Sequence, residues 1–293
     1  MKGRRLTPEG IVIDAPAKLN LYLHVTGLRD DGYHELESLV AFANVCDSIR
    51  ARPAQDLTLA VRGPFAERLI LDDNNLVLRA ARALQNAANI EEGAQLTLTK
   101  NLPVASGIGG GSANAAATIR ALVRLWDVQP SNLDFSALAL SLGADVPVCL
   151  YGRVAFMSGI GEKIQPAPQI PPAYLVIVNP GITVSTPAVF KARKGPYSEP
   201  VKKTHESDSL PDFTRQLASR CNDLTAPAIA MAPVIGRVLS SLDSAKDCLI
   251  ARMSGSGATC FGIFEMESQA KKAASRIEMM HPGWWIKTAN LLG

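Results

Sequence analysis

A run of glycines in the middle of the chain is the feature that most directly suggests chemistry. Gly107, Gly109, Gly110 and Gly111 fill four of five consecutive positions, although a glycine in regular structure costs about 0.5–1 kcal/mol relative to alanine. An alanine-rich helix is predicted to begin directly after them, at Ser112. The free N–H groups and the positive dipole end of a helix N-terminus bind anions. The run therefore predicts a phosphate-binding loop, and a tight turn without a ligand is the alternative.

Two common nucleotide-binding motifs do not fit this loop. A P-loop requires Lys and then Ser or Thr after its last glycine, whereas Ser112 and Ala113 follow Gly111. A dinucleotide-binding fingerprint requires a third Gly or Ala where Ser112 stands, and an acidic residue about 20 residues further on. Asp127 is too near and follows the predicted helix. A nucleotide-binding oxidoreductase is therefore disfavoured, and tight binding of NAD rather than ATP would identify one.

Two charged residues among apolar neighbours could take part in group transfer. Asp145 follows a Gly-Ala turn and precedes Val-Pro, so that its carboxylate lies on a bend between apolar segments. Lys18 lies in a predicted strand whose leucines alternate onto one face. From these patterns alone, Asp145 is equally consistent with a helix cap, and Lys18 with an edge or solvent-facing residue.

The elements that would position these residues alternate between strand and helix in the first half of the chain. Asp72–Asn74 are the predicted capping residues of the first helix. Asn222–Leu242 is predicted to hold one or two helices interrupted at Pro227 and Pro233, and Lys191–Pro211 to be a polar, turn-rich connection. The other predicted strands are Ile11–Ile13, Lys18–Val25, Leu57–Arg62, Gln95–Thr99, Ala173–Asn179, Leu249–Met253 and Thr259–Phe264, and the other predicted helices are Asn75–Ala88, Ser112–Trp126, Phe135–Leu142 and Ser268–Met280.

A proline-rich segment is predicted to divide the chain. Gln165–Pro172 contains four prolines in eight residues, and it is predicted to lack regular structure because proline donates no backbone hydrogen bond. We therefore predict two domains, 1–165 and 166–293, a number in keeping with a chain of 293 residues.

Composition argues against several classes of function. The net charge is +3, from 30 basic and 27 acidic residues, which is too small to indicate a nucleic-acid or membrane partner. No apolar segment reaches the about 20 residues that cross a bilayer, and the N-terminal residues include no apolar stretch of signal-peptide length. The five cysteines form no C-x-x-C pair, and the four histidines show no ligand spacing. We expect a cytoplasmic protein without a structural metal.

Three segments, in the right order, resemble the motifs of the GHMP kinases. Pro103–Ala116 resembles the ATP-binding loop of that family, Ala15–Leu21 its first motif, and Arg252–Gly262 its third motif, a glycine turn that backs the phosphate loop. The resemblance covers almost the whole chain. It implies a kinase that uses ATP, with an α+β fold of two domains: an N-terminal αβ domain with a left-handed crossover and a C-terminal ferredoxin-like domain.

Further segments resemble the branch of this family that phosphorylates the 2-hydroxyl of 4-diphosphocytidyl-2-C-methyl-D-erythritol in the non-mevalonate isoprenoid precursor pathway. The Gly-Tyr-His and Gly-Ala-Asp-Val-Pro blocks are together specific, since mevalonate or homoserine kinases are not expected to carry both. The resemblance implies a cytidine-diphosphate-linked sugar alcohol as substrate, no nucleic-acid or membrane partner, and a monomer or homodimer. One departure is Val104–Ser106, where some relatives are richer in glycine. The matching segments are Pro16–His24, Arg29–Leu36, Asn75–Arg79, Leu142–Val148, and Asn179–Pro187 followed by Phe190.

The resemblance also implies roles for individual residues. Asp145 is the implied general base, and Lys18 is implied to lie beside it, where a cation keeps the carboxylate ionised and attracts charge developing on the phosphoryl group. Mg²⁺ is expected to be held chiefly by ATP, with Ser112 as a candidate contact. The residues implied to bind ATP are Asn75, Leu76, Lys100, Pro103, Val104, Ala105, Ser106, Gly107, Ile108, Gly109, Gly110, Gly111, Ser112 and Ala113. The residues implied to bind the acceptor are Asn20, Tyr33, His34, Ile160, Thr186 and Phe190, with Tyr33, His34 and Phe190 around the cytosine.

Two alternatives stay open on the sequence. Another GHMP kinase would share the chemistry but take a different acceptor, which a screen of acceptors distinguishes. A non-catalytic ligand-binding or regulatory protein on the same scaffold would be expected to have lost Lys18 or Asp145, and this chain retains both.

Overall fold

The computed structural model describes residues 10–69, 72–129, 131, 133–199 and 206–293. By their contacts these residues form two compact units. The first contains the described residues of Met1–Ala17, Cys46–Val104 and Gly109–Tyr151, and the second contains those of Lys18–Val45, Ala105–Ile108 and Gly152–Gly293. The strands are β1 Ile11–Leu28, β2 His34–Ala54, β3 Thr58–Arg62, β4 Gly93–Thr99, β5 Ala155–Gly159, β6 Lys163–Pro166, β7 Tyr174–Asn179, β8 Ile250–Met253, β9 Cys260–Phe264 and β10 Trp285–Leu292. The helices are α1 Leu76–Ala88, α2 Gly110–Leu125, α3 Phe135–Leu142, α4 Val146–Tyr151, α5 Thr186–Ala192, α6 Leu210–Ala218, α7 Thr225–Met231, α8 Val234–Asp243 and α9 Glu267–Met280.

The first unit combines a small sheet with helices α1 to α4. β3 and β4 are parallel, with α1 between them in the chain, and β4 pairs antiparallel with the 48–54 part of β2. Ala80 and Ala115 are fully buried in a helical core with Ile119 and Leu142, where their small side chains let α1 and α2 pack closely. The β3-α1-β4 connection is a crossover of the kind expected, and its left-handedness stays a prediction.

The second unit is organised around an antiparallel sheet in the order β10-β7-β9-β8. Numbered along the chain from β7, this order is 4-1-3-2, with α9 connecting β9 to β10, which is the ferredoxin-like arrangement. Its core joins the inner face of the sheet to α8 and α9 through Val176, Ile235, Val238, Phe264 and Ile277. The predicted ferredoxin-like fold and the α+β class are confirmed.

Helices with a clear apolar stripe form where the sequence predicts them. α3 has the predicted bounds, and α1, α2 and α9 differ from them by one or two residues at an end. Asn75 rather than Asp72–Asn74 caps α1, since its side chain accepts a hydrogen bond from the N–H of Val77. The prediction of a break at Pro227 was wrong, because this residue lies in the first turn of α7, where no intrahelical N–H bond is lost. Pro233 does separate α7 from α8.

The largest differences from expectation concern strands and connections. β1 is unbroken where two strands are predicted, and β2, with 21 residues, is not predicted at all. Gln165–Pro166 belongs to β6, so the prediction that the proline-rich segment has no regular structure was wrong for its first two residues. Lys191–Pro211 contains the end of α5 and the start of α6, and its residues 200–205 lie outside the described residues. The domain boundary at 165 stays a prediction. No helix within the described ranges is long and apolar enough to cross a bilayer.

Candidate active site

Polar side chains line one face of β1 in the second unit. Lys18, Asn20, Tyr22 and His24 are spaced by two and therefore point to the same side of the strand. All four are buried, with Lys18 at 3% exposure, so the solvent-facing interpretation of Lys18 was wrong. Buried polar groups are costly without partners. A continuous polar face on a buried strand therefore marks this strand as a candidate wall of a binding site.

Residues Ala105–Ile108 of the predicted phosphate-binding loop, called the phosphate loop below, pack against the third-motif turn, Ser254–Gly257. Gly107 has φ +76°, and a methyl group there would lie 2.5 Å from the carbonyl oxygen of Ser254 and 2.6 Å from that of Gly257. The Ser254 hydroxyl donates a 3.0 Å hydrogen bond to the carbonyl of Gly107. Only glycine combines this φ with so close an approach of two backbones. The third motif backs the phosphate loop, as the resemblance implied.

The same loop is held against β1. The N–H of Lys18 donates to the carbonyl of Ile108 at 2.9 Å. Ser254 accepts a 3.1 Å hydrogen bond from the N–H of Asn20 while it donates to Gly107. Ser254 is fully buried. It lies within the third motif, but no role was predicted for it individually, because its partners lie 234 and 147 residues away in the chain.

In the first unit, the remaining glycines open α2. Gly109 has φ +62° and forms the cap residue of the helix, and its carbonyl accepts from the N–H of Ala113 at 2.8 Å. Gly110, Gly111 and Ser112 fill the first turn, where backbone N–H groups have no intrahelical acceptor. α2 thus begins two residues earlier than predicted, and the glycines belong to the helix start itself.

Two predicted nucleotide residues lie next to this helix start. Asn75 caps α1, and Leu76 begins it. A methyl group at Gly111 would lie 3.8 Å from the Cδ2 of Leu76, so the two helix starts are in contact distance. Upstream of the phosphate loop, Pro103 is buried and Val104 half-buried.

Lys100 forms a buried ion pair with Asp47, a residue that was missed from the sequence. The side chains of Lys100 and Asp47 are 3% and 0% exposed, and the same carboxylate accepts from the N–H groups of Asn101 and Leu102 at 2.7 and 2.8 Å. Burial lowers the pKa of Lys100, and the charge of Asp47 acts in the opposite direction. A methyl group at Gly110 would lie 3.2 Å from the Nζ of Lys100, so the pair supports the first turn of α2.

The residues predicted to hold cytosine form an aromatic pair in the second unit. His34 begins β2, Phe190 lies on α5, and their ring centroids are 5.0 Å apart at 28°. Rings at this distance contact each other directly, so a base can enter between them only if one ring moves. Tyr33, one residue before His34, is 59% exposed. Burial and then the charge of Arg193 lower the pKa of His34, so that its imidazole is neutral at neutral pH.

The other predicted acceptor residues are also in the second unit. The Nδ2 of Asn20 donates to the hydroxyl of Ser38 at 2.8 Å, while its buried Oδ1 has no hydrogen-bond partner among the described residues. The hydroxyls of Thr186 and Ser256 are 2.7 Å apart, so Thr186 contacts the third-motif turn. Ile160 lies in the turn after β5 and makes none of these contacts.

Asp145 belongs to the first unit and directly precedes α4. It is half-buried, and its carbonyl accepts from the N–H of Cys149 at 3.3 Å, so the backbone of Asp145 opens the helix. Gly143 ends α3 and Val146 begins α4. The turn predicted around Asp145 is therefore a short link between two helices.

Comparison with known proteins relates this arrangement to one family. Residues 75–153 match the model of the GHMP kinases N terminal domain, and residues 209–281 match that of the GHMP kinases C terminal. The chain is 52% identical over 280 residues to 4-diphosphocytidyl-2-C-methyl-D-erythritol kinase of Paramagnetospirillum magneticum, covering 96% of this chain and 98% of the relative. It is 53% identical over 284 residues to the protein of the same name from Cereibacter sphaeroides, covering 95% and 98%.

Solved structures agree with these matches. The crystal structure of 4-(cytidine 5'-diphospho)-2C-methyl-D-erythritol kinase is similar with a TM-score of 0.77 at 33% identity, over 97% of this chain and all of that chain (100%). Homoserine kinase from Cytophaga hutchinsonii has a TM-score of 0.73 at 18% identity, over 99% of this chain and 96% of that chain. At that identity the second likeness shows the fold alone.

Proposed function

The chain belongs to the GHMP kinase family and is an ATP-dependent small-molecule kinase, and we propose that it transfers the γ-phosphate of ATP to the 2-hydroxyl of 4-diphosphocytidyl-2-C-methyl-D-erythritol, within the non-mevalonate isoprenoid precursor pathway. The observation that carries the proposal is the match along nearly the whole chain to proteins that bear this name. The buried Asn20 on the polar face of β1 and the His34–Phe190 pair are consistent with it, because these residues are implied to bind this acceptor.

The glycine-rich segment is proposed to bind the phosphates of ATP. In the second unit, Gly107 has no side chain, which lets the backbone of the phosphate loop pass close to its neighbours. In the first unit, the N–H groups of Gly110, Gly111 and Ser112 lie in the first turn of α2. ATP supplies the phosphoryl group. No cluster of three acidic, histidine or cysteine side chains that could hold a metal occurs in the described part of the chain. Because Mg²⁺ prefers oxygen ligands and retains several waters, it is assigned chiefly to the phosphate oxygens of ATP, with Ser112 as a candidate contact.

Asp145 and Lys18 are proposed to act on the transfer itself. A bond forms between the acceptor oxygen and the γ-phosphorus, the bond from the γ-phosphorus to ADP breaks, and the hydroxyl proton passes to the Asp145 carboxylate. The buried side chain of Lys18 is suited to stabilising the negative charge that develops on the phosphoryl oxygens. These roles rest on the resemblance and on residue chemistry.

The acceptor is proposed to lie along the polar face of β1. A neutral His34 has one donor and one acceptor nitrogen, which suits the amino group and ring atoms of cytosine, and Tyr33 and Phe190 offer ring faces for stacking. The Oδ1 of Asn20 is buried without a partner in the described residues, a costly state that a sugar-alcohol hydroxyl would relieve. Thr186 is assigned, together with Asn20, to the hydroxyls of the methylerythritol and to the diphosphate.

An acceptor screen tests the proposal. ATP consumption is measured with Mg²⁺ and, in turn, 4-diphosphocytidyl-2-C-methyl-D-erythritol, mevalonate, homoserine and galactose. Turnover on the cytidine compound alone is the expected result. Turnover on another acceptor instead would retain the kinase and refute the cytosine pocket, and ATP binding without any turnover would favour a regulatory protein on this scaffold.

A further inference from the structure

Two adjacent residues between α6 and α7, Asn222 and Asp223, hold different parts of the second unit in place. We propose that both are positioning residues for the kinase reaction: Asn222 for the phosphate loop and Asp223 for the acceptor pocket. The inference rests on the proposed function, because it assigns the loop to ATP and the His34–Phe190 pair to the acceptor. Neither residue was singled out from the sequence.

Asn222 joins the third-motif turn to the start of α7 through the two ends of its amide. Its Nδ2 donates to the carbonyls of Met253 and Gly255, each at 2.8 Å, and its Oδ1 accepts from the N–H of Leu224 at 2.9 Å. The side chain is 6% exposed, so water does not readily replace these bonds. Removing the amide would leave the buried carbonyl of Met253 and the partly buried carbonyl of Gly255 without this donor, a loss that a movement of the turn would relieve.

Movement of that turn would be transmitted to the phosphate loop. A methyl group at Gly255 would lie only 2.7 Å from the carbonyl oxygen of Gly107, and Ser254 donates to that same carbonyl. The two backbones are therefore in direct contact with no side chain between them. Asn222 thus acts on the proposed ATP site through the third-motif turn, which lies between it and the phosphate loop.

Asp223 gathers a second set of hydrogen bonds. One carboxylate oxygen accepts from the N–H of Val25 and from the hydroxyl of Ser198, both at 2.7 Å, and the other accepts from the thiol of Cys221 at 3.1 Å. Arg193 lies 3.9 Å from the first oxygen, and its side chain is 8% exposed. Burial acts to raise the pKa of Asp223, but the hydrogen bonds from Val25, Ser198 and Cys221 and the charge of His24 together lower that pKa, so the carboxylate is ionised.

The segment that Asp223 holds adjoins the aromatic pair. The N–H of Arg193 donates to the carbonyl of Phe190 at 3.2 Å, and the charge of Arg193 is close enough to lower the pKa of His34. The N–H of Ser198 in turn donates to the carbonyl of Val25 at 2.9 Å. The charge of Asp223 and the carbonyls of Gly195 and Pro196 together hold the guanidinium of Arg193, and with it the end of the helix that carries Phe190.

Steady-state kinetics with each substrate varied in turn would test the two roles. Asn222→Ala is expected to raise the KM for ATP about tenfold and to leave the KM for the cytidine acceptor within about twofold. Asp223→Asn is expected to raise the KM for the cytidine acceptor about tenfold and to leave the KM for ATP within about twofold, because it removes the negative charge next to Arg193. Glu267→Gln, which breaks an exposed ion pair with Lys271, is the matched control and should change neither KM.

The crossed pattern is what a merely structural role would not produce. Folded variants in which both KM values rise together, or in which neither changes, would overturn the proposal. If Asn222→Ala or Asp223→Asn does not fold, Asn222→Ser and Ser198→Ala carry the same expectations in milder form. Equilibrium binding of ATP without any acceptor separates this inference from the proposed function: Asn222→Ala must weaken ATP binding even if the wild-type chain fails to use the cytidine compound, and unweakened binding refutes the Asn222 role.

Discussion

Replacing Gly107 by alanine is the perturbation that most directly tests how the phosphate loop is built. The new methyl group would lie 2.5 Å from the carbonyl oxygen of Ser254, 2.6 Å from that of Gly257 and 2.9 Å from the nitrogen of Gly257. All three are backbone atoms, so no side chain can rotate away to make room. Either the phosphate loop or the third-motif turn must move.

A matched control separates this clash from backbone strain. Gly181 has φ +81°, close to the +76° of Gly107, but its nearest neighbour to an added methyl group is 4.0 Å away. Gly181→Ala therefore carries only the strain of a left-handed alanine, about 1–2 kcal/mol. Gly107→Ala carries the same strain and also the cost of overpacking, about 1–3 kcal/mol. Gly107→Ala is therefore expected to have a free energy of unfolding about 1–3 kcal/mol lower than that of Gly181→Ala.

Urea unfolding of the two variants and of the wild type measures this difference, and equilibrium binding of ATP reports on the loop itself. Gly107→Ala is expected to be the less stable variant and to bind ATP more weakly, whereas Gly181→Ala should bind ATP as the wild type does. Equal stability of the two variants, together with unchanged ATP binding by Gly107→Ala, would refute the close contact between the two glycine turns.

Three other perturbations probe separate parts of the protein. Asp145→Asn is expected to lower turnover by about 10²–10⁴-fold with ATP binding retained, and unchanged turnover would remove this residue as the base. Because burial and the charge of Arg193 lower the pKa of His34 from its ordinary 6.5, the imidazole is neutral at neutral pH. The KM for the acceptor should therefore rise only at pH values below 6.5, and His34→Ala should abolish this pH dependence without altering the KM for ATP. Asp47→Ala leaves the buried ammonium of Lys100 unpaired and is expected to lower the free energy of unfolding by about 3–5 kcal/mol, whereas Asp73→Ala, at an exposed ion pair, should cost at most about 1 kcal/mol; similar urea midpoints for these two variants would contradict the buried pair.

Local features of the fold could be predicted because their signals lie within short stretches of sequence. The bounds of α3 follow from an apolar stripe, the Asp134 side chain that caps it, and Gly143 at its end. The glycine run likewise predicts a loop that opens a helix, and the order of the three motifs indicates the family.

β2 could not be predicted in the same way. Its side chains follow no single alternation, because residues 36–40 pair with β5, residues 42–43 with β10 and residues 48–54 with β4. Each stretch faces different surroundings, so no single period of apolar residues runs through the strand. Strand pairing of this kind is decided by segments far away in the chain.

The sequence by itself determined which residues can do chemistry: a glycine-rich anion loop, a lysine, an aspartate and an aromatic-imidazole pair, in an order typical of one kinase family. The tertiary structure alone decided what holds them. Ser254 joins β1 to the phosphate loop, Asp47 supports the start of α2 through Lys100, and Asn222 and Asp223 anchor two separate segments. These supports act largely on backbone carbonyl groups and on the N–H groups that all residues except proline carry, so the sequence does not indicate which distant segments they join.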